Sequence, residues 1–323
     1  MSDVSMVVAG IDIGKARLDV ALHGATPRKV FENSAAGHRR LIEWLRAAQV
    51  VRVGLESTGS YSQKVTGALR EAGFEVAVLQ PLQVRAFAQY RLQRAKSDPL
   101  DAALIAACTA FLDEVHEAPD ARLAPLAEHL RLIEQLEEDV VRAKTRLEAA
   151  HLAHVRRALR REIERLERRE AAERILLMKS IAIEPDLLAR LQLIQSVDGI
   201  GERTALSLLL LMPELGQLER EPIAALAGLA PFVRKSGKWR GQSRIGGGRD
   251  RVRRALYAAS LAAAFRWNPA IKNLYQRLKA AGKEHRKIMI ACARKLLIQV
   301  NAVVARGTPW ISAPRTAAMT AQC

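Results

Sequence analysis

One long stretch of helix-forming residues divides this chain of 323 residues into three parts. From residue 122 to about residue 180 only Pro125, near the start, disfavours a helix. Sustained heptads predict a coiled coil, either antiparallel or between chains. We therefore predict a coiled-coil dimerisation arm over residues 122–185, with one long helix packed on its own domain as the alternative. The seven-residue spacing, which slips once in phase, is carried by Leu126, Ile133, Val140 and Leu147, then by Leu152, Leu159 and Leu166.

The first part, residues 1–115, alternates strand and helix patterns. Two apolar runs, residues 5–13 and 17–22, and a third short run at residues 28–32 predict a meander of strands joined by short turns. Helical spacing and short β-branched runs then alternate as far as Leu112. This order predicts an α/β domain in which a mixed sheet is covered by helices.

The third part, residues 191–307, has a mainly helical pattern with a loop rich in Gly and Arg in its middle. Residues 191–323 contain 22 Lys and Arg against 7 Asp and Glu, which accounts for nearly all of the chain's net charge of +17. Such segregation is typical of a surface that binds a polyanion, because each neutralised phosphate releases counterions. A soluble domain that is merely basic is the alternative. Residues 308–323, with Pro309 and Pro314, are predicted to be a disordered tail.

Composition excludes several classes of protein. Aromatic residues make up only 4% of the chain, which argues against an RNA-recognition module that stacks many bases. The apolar run from Ala205 to Met212 is too short to cross a bilayer, and the N-terminus does not resemble a signal peptide. The 3 cysteines are widely spaced and indicate neither a disulfide framework nor a zinc site. We expect a cytoplasmic protein with no membrane association.

Four carboxylates in the first part form a candidate metal site. Asp12 lies inside an apolar strand, where Asp is disfavoured, and Glu56 ends another strand. Asp98 and Asp101 are three residues apart and share one face of a predicted helix. Oxygen ligands of this kind suit Mg²⁺ or Mn²⁺, and a pair of such ions can promote phosphoryl transfer. Taken singly, each acid also has a structural explanation, such as Asp98 as the N-cap before Pro99.

Two motifs in the third part suit nucleic acid. Residues 194–211 are similar to a helix-hairpin-helix, with Gly199 and Gly201 in the hairpin, although an ordinary connection between two helices is the alternative. Residues 232–254 then carry nine basic residues and one acid, a composition typical of a phosphate-binding loop. Ser236 has cationic neighbours within this loop. Besides the two glycines, the candidate nucleic-acid-binding residues are Arg234, Lys235, Lys238, Arg240, Arg244, Arg249, Arg251, Arg253 and Arg254.

The order of the acids resembles the RNase H-like fold of RuvC-type nucleases. More specifically, the chain resembles the DEDD transposases of the insertion-sequence 110 family, which also includes Piv-type invertases. The residues that carry the resemblance are Asp12 in GIDIGK, Glu56 in GLEST, and Asp98 and Asp101 in KSDPLDA. Pro99 departs from the family pattern but suits the start of a helix. The third part also resembles the second domain of the same family, so the resemblance extends over most of the chain.

The resemblance implies a DNA transposase or recombinase whose four acids bind Mg²⁺ or Mn²⁺. It implies that Ser236 attacks the scissile phosphate and forms a covalent link to DNA, with Ser243 as the second choice. The implied partners are donor DNA, target DNA and a noncoding guide RNA. A homo-oligomer is expected, either a dimer or a tetramer in the synaptic complex. The implied location is the prokaryotic cytoplasm, at the nucleoid when the protein is bound to DNA.

Three other classes remain open from the residues alone. A RuvC-like nuclease that uses water as its nucleophile accounts for the acids but not for the serine-bearing part. An ATPase of the actin and sugar-kinase superfold is suggested by GIDIGK, yet the chain has no second phosphate loop. A non-catalytic nucleic-acid-binding protein accounts for the charge alone.

Overall fold

A computed structural model of the protein describes residues 6–25, 28–56, 60–92, 98–115, 120–232, 235–236, 239–240 and 244–311. For residues 60, 98–100, 232, 235–236 and 239–240 only the backbone is described. The chain forms two compact units, Met1–Ala118 and Pro119–Cys323.

The first unit follows the predicted alternation of strands and helices. Three strands come first, each short and joined to the next by a tight connection. Helices and strands then alternate, and the unit ends in two consecutive helices. Its elements are β1 (Val8–Ile13), β2 (Arg17–Leu22), β3 (Arg28–Glu32), α1 (Ala35–Ala47), β4 (Arg52–Glu56), α2 (Ser60–Glu71), β5 (Glu75–Leu79), α3 (Pro81–Tyr90) and α4 (Asp98–Ala110).

The five strands form one mixed sheet in the order β3-β2-β1-β4-β5. β1, β2 and β3 are antiparallel neighbours, whereas β1, β4 and β5 run parallel. The parallel pairs are joined through helices, as a crossover between parallel strands requires. The expectation of a mixed sheet covered by helices is therefore confirmed, and its strand order supports the RNase H-like fold that the acids suggested.

The second unit is helical apart from four two-residue strands. Two long helices come first, followed by a cluster of shorter helices and a final helix that lies in the core. Its elements are α5 (Leu123–Ala149), α6 (Ala153–Ala182), α7 (Pro185–Gln195), α8 (Glu202–Leu211), α9 (Arg220–Leu226), β6 (Pro231–Phe232), β7 (Lys235–Ser236), β8 (Trp239–Arg240), β9 (Arg244–Ile245), α10 (Asp250–Ala262), a π-helical turn (Ala263–Trp267), α11 (Pro269–Ala280) and α12 (His285–Arg306).

Apolar residues of the heptad region pack against each other within one chain. α5 and α6 form an antiparallel hairpin, in which Leu136 and Val140 pack with Ile163 and Leu166. The helix stops at the point where the heptad phase slips, and the Arg156 guanidinium donates there to the carbonyls of residues 147 and 150 at 3.0 and 2.8 Å. α5 and α6 therefore pack against each other within one chain. The coiled coil and its role as a dimerisation arm stay predictions.

The hairpin and the third part share one core, although we predicted them as separate domains. Leu130 and Ile181 of the hairpin are buried with Leu208 and Leu297 of the later helices. α12 has the length and apolar composition of a membrane-spanning helix, but 56% of its most apolar 18-residue stretch is buried within the protein. Its apolar residues fill this core, which accounts for its composition.

We predicted a disordered tail from residue 308, but residue 310 is still bound to the rest of the second unit. The backbone N–H of Trp310 donates to Ser196 Oγ at 2.8 Å, and its indole N–H donates to Asp198 Oδ2 at 3.3 Å. These bonds tie residue 310 to the connection between α7 and α8. Residues 312–323 lie outside the described part of the chain.

Candidate active site

Helix α4 lies directly on the backbone of β1 and β4. A β-carbon at Gly10 would collide with the backbone of Ala102 and Ala106, and would lie 2.8 Å from the Ala106 Cα. A β-carbon at Gly54 would collide with the Thr109 side chain. Only glycine at both positions lets the helix approach the sheet this closely. The glycines that precede Asp12 and Glu56 therefore fix where α4 lies.

Asp12 and Glu56 emerge side by side on the sheet face that α4 covers. β1 and β4 are parallel, with Gly10 beside Gly54 and Ile11 beside Leu55, so Asp12 and Glu56 are the next pair along. Side chains alternate along a strand, so each acid lies on the same face as the glycine two residues before it. Both side chains are partly buried at the carboxyl edge of the parallel strands.

Asp101 is brought to the same face by α4. It immediately precedes Ala102, whose carbonyl lies against Gly10, and its side chain is partly buried. Asp98 begins the helix one turn earlier, but its side chain lies outside the described residues. The structure thus places Asp12, Glu56 and the start of α4 at one edge of one sheet.

The oxygen donors fit the chemistry of Mg²⁺ or Mn²⁺, since carboxylates are the ligands that hard divalent cations prefer. Among the side chains that the structure describes, no three Asp, Glu, His or Cys groups are close enough to hold a metal ion. That search does not include the Asp98 carboxylate, which is the fourth predicted ligand. A metal at this edge is therefore supported by the type of ligand and the shared face, and it stays a prediction.

Asp19 is an acid beside this site that the sequence analysis missed. It is the register partner of Asp12 on the antiparallel strand β2, so the two side chains share one face. Its side chain is only 9% exposed and pairs with Arg17 Nε at 3.1 Å. The signal that singled out Asp12, an acid between apolar residues of a strand, is present here too, between Leu18 and Val20.

Ser236 lies on a short β-ribbon in the second unit. β6 pairs antiparallel with β9, and β7 pairs antiparallel with β8, which puts Ser236 opposite Trp239. The segment predicted to be a loop therefore contains strand pairing, which depends on contacts across the ribbon and has no local sequence signature. The side chains of Ser236, Lys235 and Arg240, and the whole of Arg234, Lys238 and Ser243, lie outside the described residues.

The base of the ribbon is held by two glycines. Gly228 and Gly248 have φ values of 67° and 63°, and a β-carbon on either would collide with backbone of the opposite segment. The backbone N–H of Arg249 also donates to the Leu226 carbonyl at 2.8 Å. The two ends of the ribbon are thus fixed against each other, so that its strands start from a rigid base.

The predicted basic residues that are described fall into two groups. Arg249 pairs with Glu214 through two 2.5 Å bonds, and Arg251 pairs with Glu134 at 2.7 Å. The Arg253 guanidinium donates to the Gly247 carbonyl at 2.6 Å and to the Asp250 carboxylate. The Arg253 bond to Gly247 lies at the base of the ribbon, whereas Arg249 pairs with the α8–α9 connection and Arg251 pairs with α5. Arg244 is exposed, and Arg254 is exposed and pairs with Asp250 at 3.0 Å, so these two face solvent.

Gly199 and Gly201, the glycines of the predicted helix-hairpin-helix between α7 and α8, have different surroundings. Gly199 has a φ of 95°, and a β-carbon there would lie 2.5 Å from the Ala263 Cβ in the π-helical turn. Gly201 is the N-cap of α8, with an ordinary φ of −84° and no atom within 4 Å of the position of a β-carbon. The turn and its packing therefore require glycine at residue 199. At Gly201 the open space leaves the N-terminus of α8 accessible to a ligand. The geometry leaves a helix-hairpin-helix role as a prediction.

The described cysteines are poor candidates for a nucleophile. Cys108 and Cys292 are both buried and unpaired with another cysteine. Burial raises the pKa of the Cys108 thiol and raises the pKa of Cys292 to about 11. Both thiols are neutral at physiological pH and behave as small apolar residues.

Two family models match the chain. A transposase model described as DEDD transposase of IS110 matches residues 9–156 and so includes Asp12, Glu56, Asp98 and Asp101. A second model, the transposase IS116/IS110/IS902 family, matches residues 191–276 and includes the ribbon. Together the two models cover most of the chain.

Two relatives extend the likeness along most of the chain, and a third matches part of it. The pilin gene-inverting proteins of Moraxella lacunata and Moraxella bovis are each 27% identical over 317 residues, covering 95% of this chain and 98% of theirs. An uncharacterised 43.6 kDa protein of insertion element IS110 from Streptomyces coelicolor is 30% identical over 115 residues, covering 35% of this chain and 28% of its own.

One solved structure is similar over part of the chain. RuvC of T. thermophilus, in complex with a Holliday junction substrate, is 25% identical and covers 33% of this chain and 93% of its own, with a TM-score of 0.27. With so low a TM-score, this likeness does not assign a fold to the chain. The RNase H-like fold of the first unit is instead supported by its own strand order.

Proposed function

The chain belongs to the IS110 family of transposases, enzymes that act on DNA in transposition and recombination, and on that basis we propose that it cleaves and rejoins DNA strands with its carboxylates and Ser236. The observation that carries the proposal is the alignment of Asp12 and Glu56 on adjacent parallel strands beneath α4. Phosphoryl transfer needs negative charge neutralised at the scissile phosphate, and a carboxylate set can hold the cations that do so.

Asp12, Glu56, Asp98 and Asp101 would hold Mg²⁺ or Mn²⁺. Such an ion would stabilise charge on the phosphate and its leaving oxygen. The protein's own contribution is rigidity, because Gly10 and Gly54 set the distance between the acid-bearing strands and the acid-bearing helix. Carboxylates placed on strands and a helix are held more firmly than carboxylates on loops.

Ser236 would act as the nucleophile. Its Oγ would form a bond to the scissile phosphorus while the bond from phosphorus to the leaving sugar oxygen breaks. The serine proton would pass to a base or water, and the leaving oxygen would take up a proton to become a free hydroxyl. The resulting serine–DNA link conserves the phosphodiester bond for rejoining. Support comes from the rigid glycine base of the ribbon and from the basic residues along it.

The proposed partners are donor DNA, target DNA and a noncoding guide RNA. The basic second unit suits any of these polyanions, and the solvent-facing Arg244 and Arg254 are suitable phosphate contacts. A homo-oligomer is proposed because two DNA duplexes must be joined, with the α5–α6 hairpin as a candidate contact between copies.

The test of the nucleophile is trapping of protein–DNA adducts. Purified full-length protein is incubated with its recombination-site DNA, quenched with detergent, and analysed for a DNA-linked band. We expect the adduct with wild type and with Ser243→Ala, and none with Ser236→Ala. Adducts that persist in Ser236→Ala and disappear in Ser243→Ala would move the role to Ser243. Cleavage by wild type without any adduct would favour the second candidate, a RuvC-like nuclease that uses water.

A further inference from the structure

Three rings form a continuous row on the surface of the second unit. Phe265 and Tyr275 meet edge to face with their centroids 4.9 Å apart, and Tyr275 and His285 meet in the same way at 5.9 Å. The Tyr275 hydroxyl also lies 3.2 Å from His285 Nδ1. Phe265 is 52% exposed, which leaves much of a large apolar ring in contact with water. We call these three residues the aromatic row.

The row stands on a rigid support. Phe265 belongs to the π-helical turn, whose Ala263 packs against Gly199. Asn268, which follows the turn, is 1% exposed; its Oδ1 accepts from the Ile271 N–H, and its amide donates to the Asp198 carbonyl and to Gln299 Oε1. A π-helical turn fixed in this way is often found at functional sites. The exposed ring is thus held in place beside the α7–α8 hairpin.

The surroundings of the row are strongly basic. Residues 265–287 contain seven Lys and Arg and one acid, Glu284, which pairs with Lys287 at 3.0 Å. Lys272 and Lys279 stand three residues before and four residues after Tyr275, so they share its face of α11, and both are exposed. Among the described residues, neither lysine forms an ion pair. Arg266 and Lys283 are likewise exposed and without an ion-pair partner there.

The exposed Phe265 ring, with the half-buried Tyr275 beside it and unpaired cations around it, fits one kind of ligand best. A protein partner would be expected to bury an apolar patch with few charges, because charged residues are depleted at the centres of protein interfaces. Duplex DNA offers phosphates to the lysines but hides its base faces from the rings. A single strand offers both, since every base has a face that stacks on an aromatic ring while the backbone contacts cations.

We propose that the aromatic row and its lysines bind an unpaired DNA strand. Bases would stack on Phe265 and Tyr275, and Lys272 and Lys279 would contact the phosphates. The inference rests on the proposed function, because strand exchange must separate a strand from its duplex. It adds a surface distinct from the acids and the ribbon. DNA is the chosen ligand because the family acts on DNA.

Binding of oligonucleotides to the full-length protein tests this proposal. Fluorescence anisotropy with a labelled unpaired DNA of about 12 nucleotides suits the site sizes of single-strand-binding folds. Phe265→Ala should weaken binding by about tenfold, in line with the loss of one base–ring stack. Phe265→Tyr keeps the ring and should bind within about twofold of wild type. Phe111→Ala removes a ring of the first unit that is 72% exposed, more than Phe265, and is the matched control.

Three outcomes would overturn the proposal. The first is an unchanged affinity of Phe265→Ala for the single DNA strand. The second is an equal loss of affinity for duplex DNA. The third is that Phe265→Ala loses more affinity for an RNA strand of the same sequence than for the DNA strand. The last result would reassign the surface to RNA. A thermal melt of each variant separates loss of binding from loss of fold. Anisotropy is measured with chelator and without cleavage, so failure of the row is distinguishable from failure of the serine and carboxylate chemistry.

Discussion

Gly10 of β1 and Ala106 of α4 are so close that a β-carbon at residue 10 would lie 2.8 Å from the Ala106 Cα. This approach sets the height of α4 above the sheet and therefore the distance of Asp101 from Asp12. The same relationship is repeated between Gly54 and Thr109 on the neighbouring strand. The catalytic proposal depends on this packing as much as on the acids.

Gly10→Ala should therefore destabilise the first unit and reduce DNA cleavage together. The added methyl has no space, and overpacking of this kind costs about 1–3 kcal/mol or more. The measurement is urea unfolding, followed by a cleavage assay on the folded variant. Gly67→Ala is the matched control, because Gly67 lies in α2 with no atom within 4 Å of an added β-carbon. It should raise stability by about 0.5–1 kcal/mol. Equal stability of the two variants would contradict the packing described.

Substitutions at Gly199 and Gly201, between α7 and α8, should have separate effects on stability and on DNA binding. Gly199→Ala forces a positive φ on alanine and a clash with Ala263, so we expect a loss of about 2 kcal/mol or more in unfolding free energy. Gly201→Ala has an ordinary φ and open space, so its stability should stay within about 1 kcal/mol of wild type. If the α8 N-terminus contacts phosphate, Gly201→Ala should weaken DNA binding at equal stability. Unfolding by urea and binding by anisotropy measure the two effects.

Alanine substitutions of Arg249 and Arg254 should have different effects, the first on stability and the second on the salt dependence of DNA binding. Arg249→Ala removes the two charge-assisted hydrogen bonds that Arg249 donates to the partly buried Glu214, which should lower stability by about 1–3 kcal/mol. Arg254→Ala removes an exposed cation and should leave stability nearly unchanged, while the slope of log K against log salt falls by about 1. Salt titration of DNA binding and thermal unfolding check both. A normal salt slope in Arg254→Ala would exclude that residue from the phosphate contacts.

The fold of the first unit was predictable from sequence to a large extent. Strand and helix patterns are local, and the five strands and helices α1, α2 and α4 follow them closely, whereas helix α3 was not predicted. An aspartate inside an apolar strand is unusual enough to identify Asp12. The same reasoning would have identified Asp19, because Leu18 and Val20 flank it in the same manner.

Features of the second unit depend on contacts between distant residues and were less predictable. The turn between α5 and α6 contains neither glycine nor proline, and only the heptad slip marked it. The β-ribbon arises from cross-strand pairing in a segment whose glycines predicted a loop. Arg251, a candidate nucleic-acid contact, pairs with Glu134, an acid far away in the sequence. No local pattern reveals such a partner.

The most direct test of the account is DNA cleavage by Asp12→Asn, measured beside DNA binding by the same variant. Asparagine keeps the shape of the side chain and removes its negative charge, so the sheet and the basic second unit should be unaffected. We expect strand cleavage in Mg²⁺ to fall at least about a hundredfold, since removing one interaction of this kind typically costs that much in rate, while DNA affinity stays within about twofold of wild type. Cleavage at the wild-type rate by Asp12→Asn would contradict the central claim that these carboxylates carry the reaction.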